Sequence, residues 1–170
     1  MQPHRCILFT FTLSTAMIFG IAAIAAELPK ARTLGRDFFS YGTFKATTVG
    51  KDALLIVVDE TGRSVGNGLT SHLTWHTWDL GEYRNGEAQE HGSCVATDTV
   101  GDQVACDWST EKHATDQKSC SGSGPWTVGT GKYACISGGF TFVLHGNEFR
   151  AATEGPYFGH VTGQGSYKVP

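Results

Sequence analysis

Beyond its first 26 residues, the chain has no apolar pattern with a 3.6-residue period that persists for three turns, which excludes a long helix. Charge is sparse: charged residues make up 17% of the chain, Lys+Arg 13 against Asp+Glu 16. These charges are scattered. No basic stripe exists to track nucleic acid, and no polybasic or amphipathic helix exists to lie on a membrane surface. A Gly-x-Ser-x-Gly elbow is missing, which leaves a serine hydrolase of that type unsupported. Gly129-Thr130-Gly131 is not followed by Gly-Lys-Ser/Thr and a helix, so it is not a phosphate loop. No Cys-x-x-Cys pair is present to seed a zinc site. No cofactor is expected.

What the chain does have begins with an export signal. Arg5 is the charged start. An apolar run from Cys6 to Ala26 follows, interrupted by Thr10, Thr12, Ser14 and Thr15, and it ends in small residues before Glu27. This predicts a signal peptide over 1–26, cleaved after Ala25 or Ala26, and one domain over 27–170. The alternative is an uncleaved anchor, since the run is about long enough to span a bilayer. Cleavage would leave a soluble protein with no membrane insertion, in the periplasm or outside the cell. Its oligomeric state cannot be read from the sequence.

Cysteine usage agrees with export. With Cys6 removed, Cys94, Cys106, Cys120 and Cys135 remain, an even number that predicts two disulfides in an oxidising compartment. Four cysteines allow three pairings. Local pairing is expected, Cys94–Cys106 and Cys120–Cys135, with free buried thiols as the alternative.

Glycine is abundant, 22 residues, and falls between short runs rich in Val, Thr, Phe, Tyr and Trp. That predicts strands over 37–48, 53–58, 69–83, 87–98, 103–110, 124–128, 132–137, 140–145 and 159–169. Asp59-Glu60-Thr61-Gly62 reads as a turn, and 111–119 as a polar loop. Asn85-Gly86 is a hairpin signal that sets register: Arg84 faces Glu87, Leu80 faces His91, Trp78 faces Ser93 and His76 faces Val95. A second hairpin turning near Val100 places Cys94 opposite Cys106. Trp75, Cys94, Val104, Cys106 and Trp108 then share a face that reads as core. His72, His76, Trp78 and His91 share the other, unless a bulge at Gly92 flips part of it. The fold class is all-β: a single closed antiparallel barrel of about eight strands, with a sandwich as the rival.

The candidate ligand- or metal-contacting residues are His72, Trp75, His76, Trp78 and His91. On a strand, His72 and His76 lie about 13 Å apart, too far for one metal ion. The acidic residues Glu82, Glu87, Glu90, Asp98, Asp102, Asp107 and Glu111 gather at turns and hairpin ends, which suits a solvated rim.

The string Gly129-Thr130-Gly131-Lys132-Tyr133-Ala134-Cys135-Ile136-Ser137-Gly138-Gly139-Phe140 resembles a stretch of small exported bacterial barrels with an allene oxide cyclase-like fold, of which plant dirigent proteins carry a looser version. The resemblance runs from His91-Gly92-Ser93-Cys94 through Val100-Gly101-Asp102-Gln103 to Gly163-Gln164-Gly165-Ser166-Tyr167-Lys168. Cys135 stands where a glycine is common. The resemblance implies an eight-stranded barrel whose interior can hold an apolar ligand. It implies no activity, and no residue matches the plant enzyme's catalytic positions. The expected function is non-catalytic binding of a small apolar ligand, or a structural role. The alternatives are an enzyme with its site in the lumen and a metal-binding protein. A purely apolar lumen favours binding, whereas a buried carboxyl beside a hydrophobic pocket favours catalysis.

Overall fold

The computed structural model describes residues 31–66, 71–145 and 153–170. The expected signal peptide with its cleavage point, Cys6, and the beginning of the strand expected from residue 69 lie outside the described residues.

Eight long strands close on themselves. They are β1 (Ala31–Val49), β2 (Ala53–Gly66), β3 (Thr74–Arg84), β4 (Glu87–Thr97), β5 (Gln103–Thr110), β7 (Ser119–Gly129), β8 (Ser137–His145) and β9 (Glu154–Lys168). Each pairs antiparallel with the next long strand, and β1 pairs with β9 to close the barrel. The two-residue β6 (His113–Ala114) adds to the start of β4. Among the described residues there is no α-helix, only one 3-10 turn at Gly131–Tyr133.

The central register is the one set by Asn85-Gly86. Arg84 pairs with Glu87, Leu80 with His91, Trp78 with Ser93 and His76 with Val95. The β3–β4 ladder runs through Gly92 without a shift, so no bulge flips the faces there. The irregularity lies instead between Ala105 and Cys106, where β5 meets β7. Cys94 pairs with Cys106, and the two form a disulfide across a Cα–Cα distance of 5.2 Å.

Three expectations are corrected. β2 does not turn at Asp59-Glu60-Thr61-Gly62 but continues to Gly66. Partners on both sides hold it extended there: Gly62 pairs with Ser40 and with Trp75. Residues 132–136 are not a strand, and only Ser137 of the expected 132–137 is extended, as the start of β8. Tyr133 closes the 3-10 turn and is buried, with its hydroxyl 3.3 Å from Asp98 Oδ2, while Lys132 Nζ lies 2.5 Å from the same carboxylate. The third correction concerns Cys120, a free buried thiol; Cys135 is disulfide-bonded, but not to it. Cys120 pairs with Leu144 at one end of β8, whereas Cys135 precedes Ser137 at the other. Seven residues of strand separate the two levels by about 23 Å, far beyond disulfide reach.

Buried and more exposed side chains largely alternate along the strands wherever side chains are described, and the buried apolar ones form two clusters. The larger contains Phe38, Trp75, Trp126, Phe140 and Phe142. The smaller contains Phe44, Ile56, Val58 and Tyr157. Between them, along β1, β2 and β3, the inward positions are Ser40, Glu60, Thr77 and Asp79. The barrel thus has apolar ends and a polar waist.

Candidate functional site in the barrel lumen

Glycines shape the lumen by standing opposite large inward side chains. Gly124 pairs with Phe140, Gly122 with Phe142, and Gly92 with Trp108. A Cβ on Gly92 would lie 2.7 Å from Asp79 Oδ1 and 2.8 Å from Trp108 Cε2. Such small-against-large pairing lets an eight-stranded barrel, whose interior is otherwise filled, keep a small space. That space is about 60 Å³, and it is lined by Phe38, Trp75, Phe142 and Val161 together with Arg36, Glu60 and Asp79.

Arg36 enters from β1. Its guanidinium carbon lies 4.6 Å from the centroid of the Trp75 ring, 5.1 Å from Phe140 and 5.6 Å from Trp126. These ring faces attract the cation. Its Nη1 is buried, and among the described residues it has no hydrogen-bond partner and no carboxylate forms an ion pair with Arg36. Burial lowers its pKa to about 10.

The waist carries three carboxyl groups. Glu60 is only 6% exposed and accepts a 2.5 Å hydrogen bond from Ser40 Oγ. Burial, with repulsion from Glu90 added, raises its pKa to about 7, and the Ser40 bond only partly offsets this. Asp79 is pushed up to about 9, first by burial and then by Glu60, Glu90 and Asp59. Its Oδ1 is buried without a hydrogen-bond partner among the described residues. Glu90 accepts a 2.8 Å hydrogen bond from the Tyr83 hydroxyl, and its backbone N–H donates to Thr110 Oγ1 at 2.9 Å. The pKa values of Tyr83 and Tyr157 are raised by burial, then by the neighbouring carboxyls. Neutral carboxyl and hydroxyl groups beside aromatic walls can donate and accept protons. At neutral pH this is acid–base and hydrogen-bonding chemistry.

The residues singled out from the sequence divide between the two faces. Trp75 is in the lumen, and its indole N–H donates to Ser64 Oγ at 3.0 Å. Trp78 and His76 are outside, with ring centroids 4.1 Å apart, and His76 Nε2 lies 2.6 Å from Asp59 Oδ1. His72 and His91 are exposed. The histidines are not brought together. Among the described residues, no three His, Cys, Asp or Glu side chains group to hold a metal ion. Of the acidic residues read as a solvated rim, Glu82, Glu87, Asp107 and Glu111 are exposed, but Glu90 faces the lumen.

Sequence reasoning missed Arg36, Glu60, Asp79 and the inward direction of Glu90. A signal was present in the two-residue parity of each strand. Glu90 is in phase with Cys94, Asp79 with Trp75, and Glu60 with Ile56 and Val58. No protein-family model matches the chain, and no curated protein matches it either.

Proposed function

We propose that the chain is an exported, disulfide-stapled barrel that binds a small ligand in its lumen without transforming it. The carrying observation is the 60 Å³ space whose walls combine aromatic rings with Arg36, Glu60 and Asp79. An apolar wall with a few convergent polar groups is the usual make-up of a ligand site. One observation supports export: the Cys94–Cys106 bridge, which suits an oxidising compartment. The eight-stranded closed barrel is the shape that the likeness to allene oxide cyclase-like barrels implies, and that kinship belongs to the same proposal.

The size of the space constrains the ligand. A cavity of roughly 150 Å³ admits benzene. At 60 Å³ the occupant has only a few non-hydrogen atoms unless the aromatic walls move. Native mass spectrometry of the exported protein, compared with Val161→Phe, tests the reading. A small molecule carried by the wild type and absent from the filled variant is the expected result. Equal loading of both proteins, or of neither, would sink it.

A second reading is acid–base catalysis in the same lumen, favoured by the displaced carboxyls of Glu60 and Asp79. It predicts that the molecule released differs from the one offered, and that Glu60→Gln stops the conversion while leaving the ligand bound.

A further inference from the structure

Arg36 poses a problem of charge. Its guanidinium is held over Trp75, Trp126 and Phe140, yet its Nη1 has no hydrogen-bond partner among the described residues. Ring faces attract a cation but accept hydrogen bonds poorly, so three rings do not replace a lost water shell. Leaving a buried cation without a counter-ion is costly. The cavity that Arg36 lines is lined by Asp79 as well, whose Oδ1 is also buried without a hydrogen-bond partner among the described residues. A ligand that satisfies both needs an oxygen to accept from Nη1 and a second polar atom for the Asp79 carboxyl. Its body must be small and flat enough for the space beside Phe38 and Phe142.

We propose that the lumen is a receptor for a small monocarboxylate, with one carboxylate oxygen on Arg36 Nη1 and the other toward Asp79. This rests on the lumenal-binding reading and names its ligand class. Guanidinium–carboxylate hydrogen bonds are charge-assisted and roughly twice as strong as neutral ones, and the geometry of the fork favours a planar partner. Ionised carboxyls in the waist would repel such a ligand. Burial works against that ionisation: Glu60 is raised to about 7 and Asp79 to about 9, so just below neutral pH both are largely protonated. Glu90, the third carboxyl of the waist, does not line the space and accepts the Tyr83 hydroxyl. A protonated Asp79 can donate to the ligand's second oxygen. An acetate ion is smaller than the benzene that a cavity of roughly 150 Å³ admits, in keeping with the smaller space here.

The experiment titrates the purified protein at pH 6 with carbon-13 acetate, and separately with acetamide, its neutral isostere. Ionic strength is matched with sodium chloride. Acetate line broadening and tryptophan fluorescence are read in parallel. Acetate is expected to saturate, and to bind at least tenfold tighter than acetamide. Arg36→Gln should erase that preference, Arg36→Lys should keep part of it, and Arg63→Gln, on the exposed outer face of β2, should change nothing. If acetate and acetamide bind alike, the lumen binds ligands but the anion assignment is overturned. Full acetate binding by Arg36→Gln also overturns it. If neither probe perturbs the tryptophans and native mass spectrometry finds only water in the lumen, both the assignment and the binding reading fall. Should Arg36→Gln not fold, the acetate-to-acetamide ratio in the wild type and in Arg36→Lys still decides.

Discussion

At the residue scale, Glu60 is the position where burial and chemistry are most at odds. In the unfolded chain its carboxyl titrates near the ordinary 4.5; in the barrel, burial raises it to about 7. Between those values the native state holds a proton that the unfolded state has released. Folding stability is therefore full below about 4.5 and falls as pH rises through 7, and Asp79 carries the decline on to about 9. The Glu60 share is about 3 kcal/mol. Urea unfolding at pH 5 and pH 8 should show the loss, and Glu60→Gln should reduce it and be the more stable protein at pH 8. A wild type equally stable at both values would contradict the assignment. Cys120 gives a second residue-level expectation. Its buried thiol, pushed up to about 12 by desolvation and then by Glu90, should ignore a thiol reagent in the folded protein and react at once in urea. Reaction at equal rates in both states would show the thiol to be accessible. These positions were within reach of sequence reading. Counting by twos from Trp75 reaches Asp79, and counting back from Cys94 reaches Glu90. The composition of each local stretch hid them, because a carboxyl near glycine resembles a turn or a rim. Arg36 was less visible, since what holds it inward comes from β3, β7 and β8, far away along the chain.

At the element scale, local turn chemistry read well and long-range pairing did not. Asn85 and Gly86 both take positive φ, 55° and 81°, as a tight two-residue hairpin turn requires, and the whole β3–β4 register follows from them. Counting about Val100 likewise placed Cys94 against Cys106. The Cys120–Cys135 expectation failed because it counted residues in a loop, whereas the chain between them is mostly extended strand. The β2 turn failed because two partner strands outweigh a turn-like tetrapeptide. The bridge that does form closes a sequence separation of 12 residues. Replacing both Cys94 and Cys106 by Ala should lower stability by about 3 kcal/mol in the chain-entropy model, read from the urea midpoint at unchanged slope. No change in midpoint would mean that the unfolded chain is already constrained there. Glycine 131 offers a sharper local test. Its φ is +50°, and a Cβ would run into the Asp102 carboxylate, whose Oδ2 accepts the Lys132 N–H at 3.1 Å. Gly131→Ala should cost about 2 kcal/mol or more by strain and by loss of that contact. It should also loosen the turn that seats Tyr133. An unchanged melting temperature would show the turn to be dispensable.

At the scale of the whole molecule, closure is what makes a polar waist tolerable. An open sheet would leave β1 and β9 with unpaired edges and would expose Arg36, Glu60 and Asp79 to water, where nothing would shift their titration. In the barrel, β1 and β9 pair over a register from Ala31↔Lys168 to Lys45↔Glu154, the longest ladder in the fold. That ladder joins the two ends of the described chain directly. Opposed residues in an antiparallel pair sit about 5 Å apart, so a linker of about four residues can join Lys168 to Ala31 without bending either strand. The strand order is that of a meander closed on itself, and every long strand has two partners. No one hairpin turn is therefore needed to hold the ring together. A circular permutant joined between residues 168 and 31, with new ends between Asn85 and Gly86, should give the same strand-dominated circular dichroism. It should also keep Cys94 bonded to Cys106. Its melting temperature should fall by several degrees, because the β3–β4 pairing now closes a long loop instead of a two-residue turn. Deleting residues 154–170 from the unpermuted chain should instead abolish cooperative unfolding, since β1 and β8 both become edges and the lumen opens. A truncated chain that still melted cooperatively, or a permutant that did not fold, would show that the β1–β9 ladder is not what closes the barrel.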